Sequence, residues 1–244
     1  MADAGWERAP TPVRIQAGEV HVWRASLAPP PALLARFHAT LSDAERSQAG
    51  RFRFPVHRDR FIAGRGIQRA ILSRYVGAAP GALAFRAAKY GKPELEGGGE
   101  LRFNVSNAED LALYAVALSR EVGVDLENVR PMPDGVSIAE RFFSAEENAV
   151  FRALAPALRD AAFFACWTRK EAFIKAVGEG LSMPLDRFDV TLAPGEPARL
   201  LRTRGDPGEA ERWTMGGVEV GPGWDAALVV EGGGWTMRRF QYDG

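Results

Sequence analysis

The chain has a single cysteine, Cys166, so no intrachain disulfide can form and a disulfide-stapled scaffold is excluded. No apolar run approaches the roughly 18 residues that a membrane span needs. The first residues, Met1-Ala2-Asp3-Ala4-Gly5-Trp6, lack the basic-then-apolar order of a secretory leader. The expectation is a cytoplasmic monomer with no membrane partner. Histidine is scarce, and His21, His38 and His57 are scattered without the spacing of metal ligands. Net charge is absent too: 31 basic side chains balance 31 acidic ones. With no basic excess, no recognised reading motif and no aromatics interleaved with the arginines, nucleic acid is not an expected partner.

What is present is enough apolar residue for one large domain or two small ones, 46% of 244 positions. Charge is unevenly placed. Residues 1–120 carry 17 basic and 11 acidic side chains, and residues 121–244 carry 14 and 20. Either the first half holds an anion and the second a cation, or the two halves meet along a salt-bridged seam. Between residues 46 and 74 stand eight arginines and one acid, Asp59. That density suits a multiply charged phosphate ligand. The plainer alternative is compositional, because only four of the basic residues are lysines.

Local patterns give the elements. Val20–Ala25 alternates like a strand, and 32–40 reads as a short helix. Ser42 and Glu45 form a capping box, as do Ser144 and Glu147, so helices are expected to start at both. A helical stripe runs from His57 to Val76 and stops at Gly77. Strands are expected at 83–86, 101–106, 111–118 and 122–127, with a turn at Tyr90-Gly91-Lys92-Pro93. Residues 131–137 read as a loop. Beyond Gly180, segments at 188–192, 199–202, 218–220, 226–230 and 235–240 suggest a meandering antiparallel sheet. Each half thus has a long helix ending at glycine, then a strand and a turn. That outline suggests an internal duplication joined near residue 120.

The stretch from Phe163 to Val177 organises the rest. It lacks proline and ends at Gly178, so it reads as a helix. At about 100° per residue, Phe163, Phe164, Trp167, Ile174 and Val177 share an apolar arc. Lys170, Glu171 and Lys175 fall in or beside that arc, and Arg169 points away. Charges turned toward a core cost several kcal/mol unless paired. Either Glu171 and Lys175 form an ordinary surface pair, or these side chains line a site. Cys166, among aromatics, reads as a buried inert thiol.

In Val122–Glu127, Val124 and Leu126 share one face, and Asp125 and Glu127 the other. Such acids are common on solvent-facing edge strands. If the helix bearing Glu171 packs on that strand, three carboxylates meet, and Mg²⁺ is the hard cation that suits them and keeps positions for phosphate. With arginines nearby, a diphosphate substrate follows. No serine or cysteine here has an evident base, so the nucleophile is expected on a second substrate.

Three motifs then fall in order: Gly123-Val124-Asp125-Leu126-Glu127, Phe142-Phe143-Ser144-Ala145-Glu146-Glu147, and Trp167-Thr168-Arg169-Lys170-Glu171-Ala172-Phe173-Ile174-Lys175. With Phe52-Arg53-Phe54, Arg60, Gly91-Lys92-Pro93 and Phe103-Asn104-Val105-Ser106, this pattern resembles the 4′-phosphopantetheinyl transferases of the large, pseudo-dimeric, surfactin-synthetase-activating type. The resemblance spans residues 41–192 closely and the rest loosely. It implies two similar α+β halves, 1–120 on the nucleotide side and 121–244 on the metal side, related by a pseudo-two-fold with the ligand cleft between them. It implies transfer of phosphopantetheine from coenzyme A to a serine of an acyl or peptidyl carrier protein, releasing adenosine 3′,5′-bisphosphate. Asp125, Glu127 and Glu171 would bind Mg²⁺, and Glu171 or a water it orients would take the serine proton. Lys175 would stabilise the diphosphate, and Lys170 would hold phosphate. Arg53, Arg60, Lys92 and Ser106 would hold the nucleotide end. Asn107 departs from the family's histidine after Ser106; an amide adds no charge, so weaker preference for coenzyme A over its dephospho form is expected. A coenzyme A- or carrier-binding relative without catalysis, and a metal-dependent phosphohydrolase using water, are the competing readings. Residues 144–154 and 131–137 are candidate carrier-docking surfaces.

Overall fold

A computed structural model describes residues 5–244; the leader expectation falls mainly on residues 1–4, outside the described residues. The chain folds as strands β1 (Glu7–Arg8) and β2 (Glu19–Ser26), then helices α1 (Pro31–Thr40), α2 (Asp43–Gly50) and α3 (Pro55–Val76). Strands β3 (Phe85–Ala87), β4 (Pro93–Leu95), β5 (Leu101–Ala108), β6 (Leu111–Leu118) and β7 (Val122–Asn128) follow. Next come α4 (Gly135–Phe142), α5 (Ala145–Ala153) and α6 (Pro156–Val177). Strands β8 (Phe188–Val190), β9 (Leu200–Thr203), β10 (Trp213–Gly217), β11 (Trp224–Glu231) and β12 (Thr236–Gln241) complete the fold. It is an α+β architecture. No helix among the described residues is long and apolar enough to cross a membrane.

Two sheets form the centre, one ordered β1-β12-β2-β6-β5 and the other β10-β11-β7. Alternation along the strands decides the layers. Val20, Val22, Leu113 and Ala115 from the first sheet pack against Val122, Val124, Leu126 and Leu228 from the second. The opposite face of the first sheet, with Trp23, Tyr114 and Val116, is covered by α3 through Ile67 and Ile71. The opposite face of the second is covered by α6 through Ala172, Phe173 and Ala176. Helix, sheet, sheet and helix stack in that order.

The same plan recurs in both halves. A first strand is followed by helices, a small two-stranded sheet (β3-β4 or β8-β9) and two further strands, the second of which sits in the middle: β2-β6-β5 and β7-β11-β10. Helices α3 and α6 each have 22 residues, open on proline and close on a left-handed glycine, Gly77 and Gly178. Both capping boxes form, Ser42 with Glu45 and Ser144 with Glu147. Strand β12 breaks the plan. It pairs parallel with β2, so a division at residue 120 leaves it outside the half that its sequence position assigns.

Several local expectations change. The segment 131–137 is not only loop, because α4 begins within it at Gly135. Residues 218–220 form no strand; Val218 and Val220 are buried between the sheets. Their alternation therefore marks burial and not pairing. Strand β10 takes that place in the ladder, and the sheet is not a simple antiparallel meander because β12 runs parallel to β2. The organising helix starts earlier than its apolar stripe, at Pro156, a residue preorganised for a helix's first turn. Cys166 is fully buried, and burial holds its thiol well above the usual range.

Candidate active site

The site begins with a close approach. A Cβ on Gly123 would lie 2.1 Å from Ala172 O and 2.3 Å from Ala176 N. Only glycine lets α6 sit this near β7. Ala172 and Ala176 form the small-residue stripe at the contact, so their neighbours Glu171 and Lys175 overhang the strand beside Asp125. The expected meeting of helix and strand thus occurs.

Asp125 is 4% exposed. Its Oδ1 accepts from Ser106 Oγ at 2.7 Å and from Lys175 Nζ at 2.5 Å. Lys175 Nζ also lies 3.1 Å from Ser106 Oγ. The other oxygen, Oδ2, is buried and has no partner among the described residues. Burial first, and then the Asp125 charge, raises the carboxyls of both Glu127 and Glu171 above the usual range. The three carboxylates therefore face a shared space. They are not closed on it: among the described residues no group of three or more acidic, histidine or cysteine side chains stands in metal-coordinating geometry. Glu127 is instead 3.7 Å from Arg130, a weak and largely solvent-facing pair.

Ser106 comes from the first half and Asp125 from the second. They meet because β5 and β7, edge strands of different sheets, lie side by side. Asn104 Oδ1 accepts from Val124 N at 2.9 Å, which fixes that join with a side chain in place of a ladder.

A fourth acid was not legible in the sequence. Asp225 on β11 pairs in register with Glu127 and accepts from Thr168 Oγ1 at 2.5 Å. Burial raises its carboxyl above the usual range, with Asp125 adding to the rise. Asp225 stands at the start of a strand, next to a tryptophan, and only strand register brings it beside Glu127.

Other expected site residues are elsewhere. Lys170 is fully buried, with Nζ 2.7 Å from Leu185 O, 2.7 Å from Phe188 O and 2.8 Å from Glu147. It has no surface with which to meet phosphate. Lys92 Nζ bonds Glu121, Val122 O and Ala176 O at 2.7, 3.1 and 2.9 Å. Those bonds take up all three of its donors, and burial holds its ammonium below the usual range. Lys92 ties the end of α6 to the start of β7 and is not offered to a nucleotide. Ser106 is likewise turned to Asp125. Arg53 is exposed over the Phe54 ring and does not line the cleft.

Arg60 and Asn107 do line one. A cleft of about 550 Å³ is cut beside α3, with Phe52, Arg60, Phe61, Arg65, Gln68 and Asn107 among its walls. Arg60 Nε is held by Asp110 at 2.7 Å. All the residues lining this cleft belong to the first half. It approaches their join through Asn104 on β5, whose Oδ1 accepts from Val124 N.

Comparison with known proteins gives the family. The family model described as the 4′-phosphopantetheinyl transferase superfamily matches residues 121–227, which include β7, α6 and Asp225. The 4′-phosphopantetheinyl transferase HetI of Nostoc sp. is 39% identical, over 99% of this chain and 100% of that protein. The 4′-phosphopantetheinyl transferase Sfp of Bacillus subtilis is 32% identical, over 64% of this chain and 69% of that protein. A solved holo-[acyl-carrier-protein] synthase of Thermotoga maritima matches 46% of this chain and 62% of its own at 26% identity, with a TM-score of 0.37. The chain belongs to the 4′-phosphopantetheinyl transferase superfamily.

Proposed function

We propose that the protein transfers 4′-phosphopantetheine from coenzyme A to a serine of an acyl or peptidyl carrier protein, and that Asp125, Glu127 and Glu171 hold a Mg²⁺ ion during the transfer. The observation that carries the reading is the unpartnered, buried Oδ2 of Asp125. It stands among carboxylates whose mutual repulsion a cation would relieve. All the donors are hard oxygens, which fits Mg²⁺. Closing the trio on the ion requires the Glu127 and Glu171 side chains to turn toward Asp125.

The carrier's serine oxygen attacks the phosphorus that bears the pantetheine arm. The bond to the bridging oxygen breaks, and adenosine 3′,5′-bisphosphate leaves with that oxygen. When bound, the metal neutralises charge on the diphosphate. Glu171 takes the serine proton directly or through a water. Lys175 supplies the positive charge that meets the diphosphate as its negative charge shifts to the leaving group. Arg60 and Asn107, at the cleft, face the nucleotide end. Exposed Val136 on α4 and Val150 on α5 give the docking surface expected for the carrier an apolar component.

The test is direct. Incubated with coenzyme A, Mg²⁺ and a panel of apo carrier proteins, the enzyme should add the mass of one phosphopantetheine to at least one carrier. No mass gain on any carrier, with hydrolysis of coenzyme A proceeding without one, would replace the transferase with a phosphohydrolase.

A further inference from the structure

Gln68 on α3 is 3% exposed and lines the first-half cleft. Its Oε1 accepts from Arg65 at 3.1 Å. A guanidinium only donates, so this bond fixes which end of the amide faces which way. The Nε2 group is left buried, and it has no acceptor among the described residues. A buried donor without an acceptor costs free energy comparable to a lost hydrogen bond. Such a group in a cleft wall points to a ligand that supplies the acceptor.

The second half shows what satisfaction looks like at the matching place. Arg169, 101 positions later and equivalent in α6, donates to Thr191 O at 2.6 Å and to Thr191 Oγ1 at 3.0 Å. There a loop of the chain itself covers the helix. Beside Gln68 the cleft takes the loop's place.

The chemistry of the walls selects the part of the ligand. Phe52 and Phe61, with ring centroids 5.4 Å apart, give an apolar wall. Gly64 on the same helix carries no side chain, and a Cβ there would make only ordinary contacts, so the floor stays open to a flat group. Of the two arginines in the wall, Arg65 is held by Gln68 and lies 5.7 Å from the Phe61 ring centroid, and Arg60, 27% exposed, stands toward the rim. An amide beside aromatic rings and a planar guanidinium suits a flat purine base, and a rim arginine suits phosphate.

We propose that Gln68 sets nucleotide specificity by donating a hydrogen bond from Nε2 to a ring nitrogen of the purine base of coenzyme A. This rests on the transferase reading above. The test compares wild type with Gln68→Met and Gln68→Leu, both of which remove the donor. The expected result is a KM for coenzyme A raised about tenfold, with kcat and the KM for carrier protein within twofold. Calorimetric affinity for adenosine 3′,5′-bisphosphate should fall by the same factor. The melting temperature of the ligand-free protein should hold or rise, because an unsatisfied buried donor has gone. A residue with a purely structural role would lower the melting temperature and leave KM unchanged. A coenzyme A analogue lacking the recognised ring nitrogen should lose about tenfold with wild type and nothing further with Gln68→Met. Unchanged KM and affinity in both variants would overturn the proposal. If wild type transfers nothing to any carrier, the transferase reading fails, and adenosine 3′,5′-bisphosphate binding alone then decides the role of Gln68.

Discussion

The two halves of the molecule use one scaffold for opposite purposes. In the first, Trp23 on β2 lies under α3, and Arg74 stacks over its ring at 5.2 Å. In the second, the matching strand position is Asp125 and the matching helix position is Lys175, and the two form an ion pair. His21, which bonds Tyr75, corresponds to Gly123, which packs on Ala176. Ala25 and Ala112 pair in the first sheet where Glu127 and Asp225 pair in the second. One half fills the space under its long helix with aromatic rings, and the other lines it with carboxylates.

What the halves share is equally informative. Arg69 and Lys170 are matched buried cations. Arg69 bonds the capping-box Glu45, Pro80 O and Leu83 O, and lies 5.2 Å from the Phe85 ring centroid. Lys170 bonds the capping-box Glu147, Leu185 O and Phe188 O, and lies 4.4 Å from the Phe188 ring centroid. Each cation ties the long helix to the start of a short one and to the chain that follows. The repetition identifies Lys170 as part of the scaffold and not of the chemistry, since its counterpart occurs in the half without the acids.

The largest effect expected falls on the acids that only the second half carries. Asp125→Asn should lower the rate of carrier modification by about 10³-fold while the circular dichroism spectrum stays that of wild type. Full activity would dissolve the contrast between the halves. Next, Arg69→Met and Lys170→Met should each destabilise the protein by about 3–5 kcal/mol in urea unfolding, because each leaves a carboxylate without its buried partner. If Lys170→Met instead raised the KM for coenzyme A at full stability, the parallel would break. Gly123→Ala should cost about 1–3 kcal/mol by forcing α6 off β7, and should reduce activity by moving Glu171 and Lys175 away from Asp125. The smallest effect belongs to the cleft mouth. Asn107→His should raise the preference for coenzyme A over dephospho-coenzyme A by about two- to fivefold, the range of an exposed charge pair. Equal preference ratios would show that residue 107 does not reach the 3′-phosphate.

Much of this was legible without coordinates. Capping boxes, glycine stops and the face-sharing of Asp125 and Glu127 are consequences of neighbouring residues, and they appear where the pattern puts them. The phosphate role expected for Lys170 came from the family resemblance, and a helical wheel, which gives direction and not depth, does not test it. The wheel assigns Lys170 and Glu171 to one arc, although the first ends in the core and the second over the strand. Helix α4 was missed because Pro131, Pro133 and Gly135 read as punctuation, yet they precede or open the helix. Val218 and Val220 alternate like a strand because they are buried, while their backbone joins no ladder.

The amino-acid order by itself determined most of the elements, the duplication in outline, and which strand and helix carry the candidate site side chains, because periodicity and caps act within about ten residues. Only the tertiary structure decided that Ser106 reaches Asp125, that Asp225 joins Glu127, that Lys92 is fully bonded at the seam, and that Arg60, Gln68 and Asn107 line one cleft. Those outcomes depend on strand register and on how closely a helix can approach a sheet, distances set by packing between segments that the sequence keeps far apart.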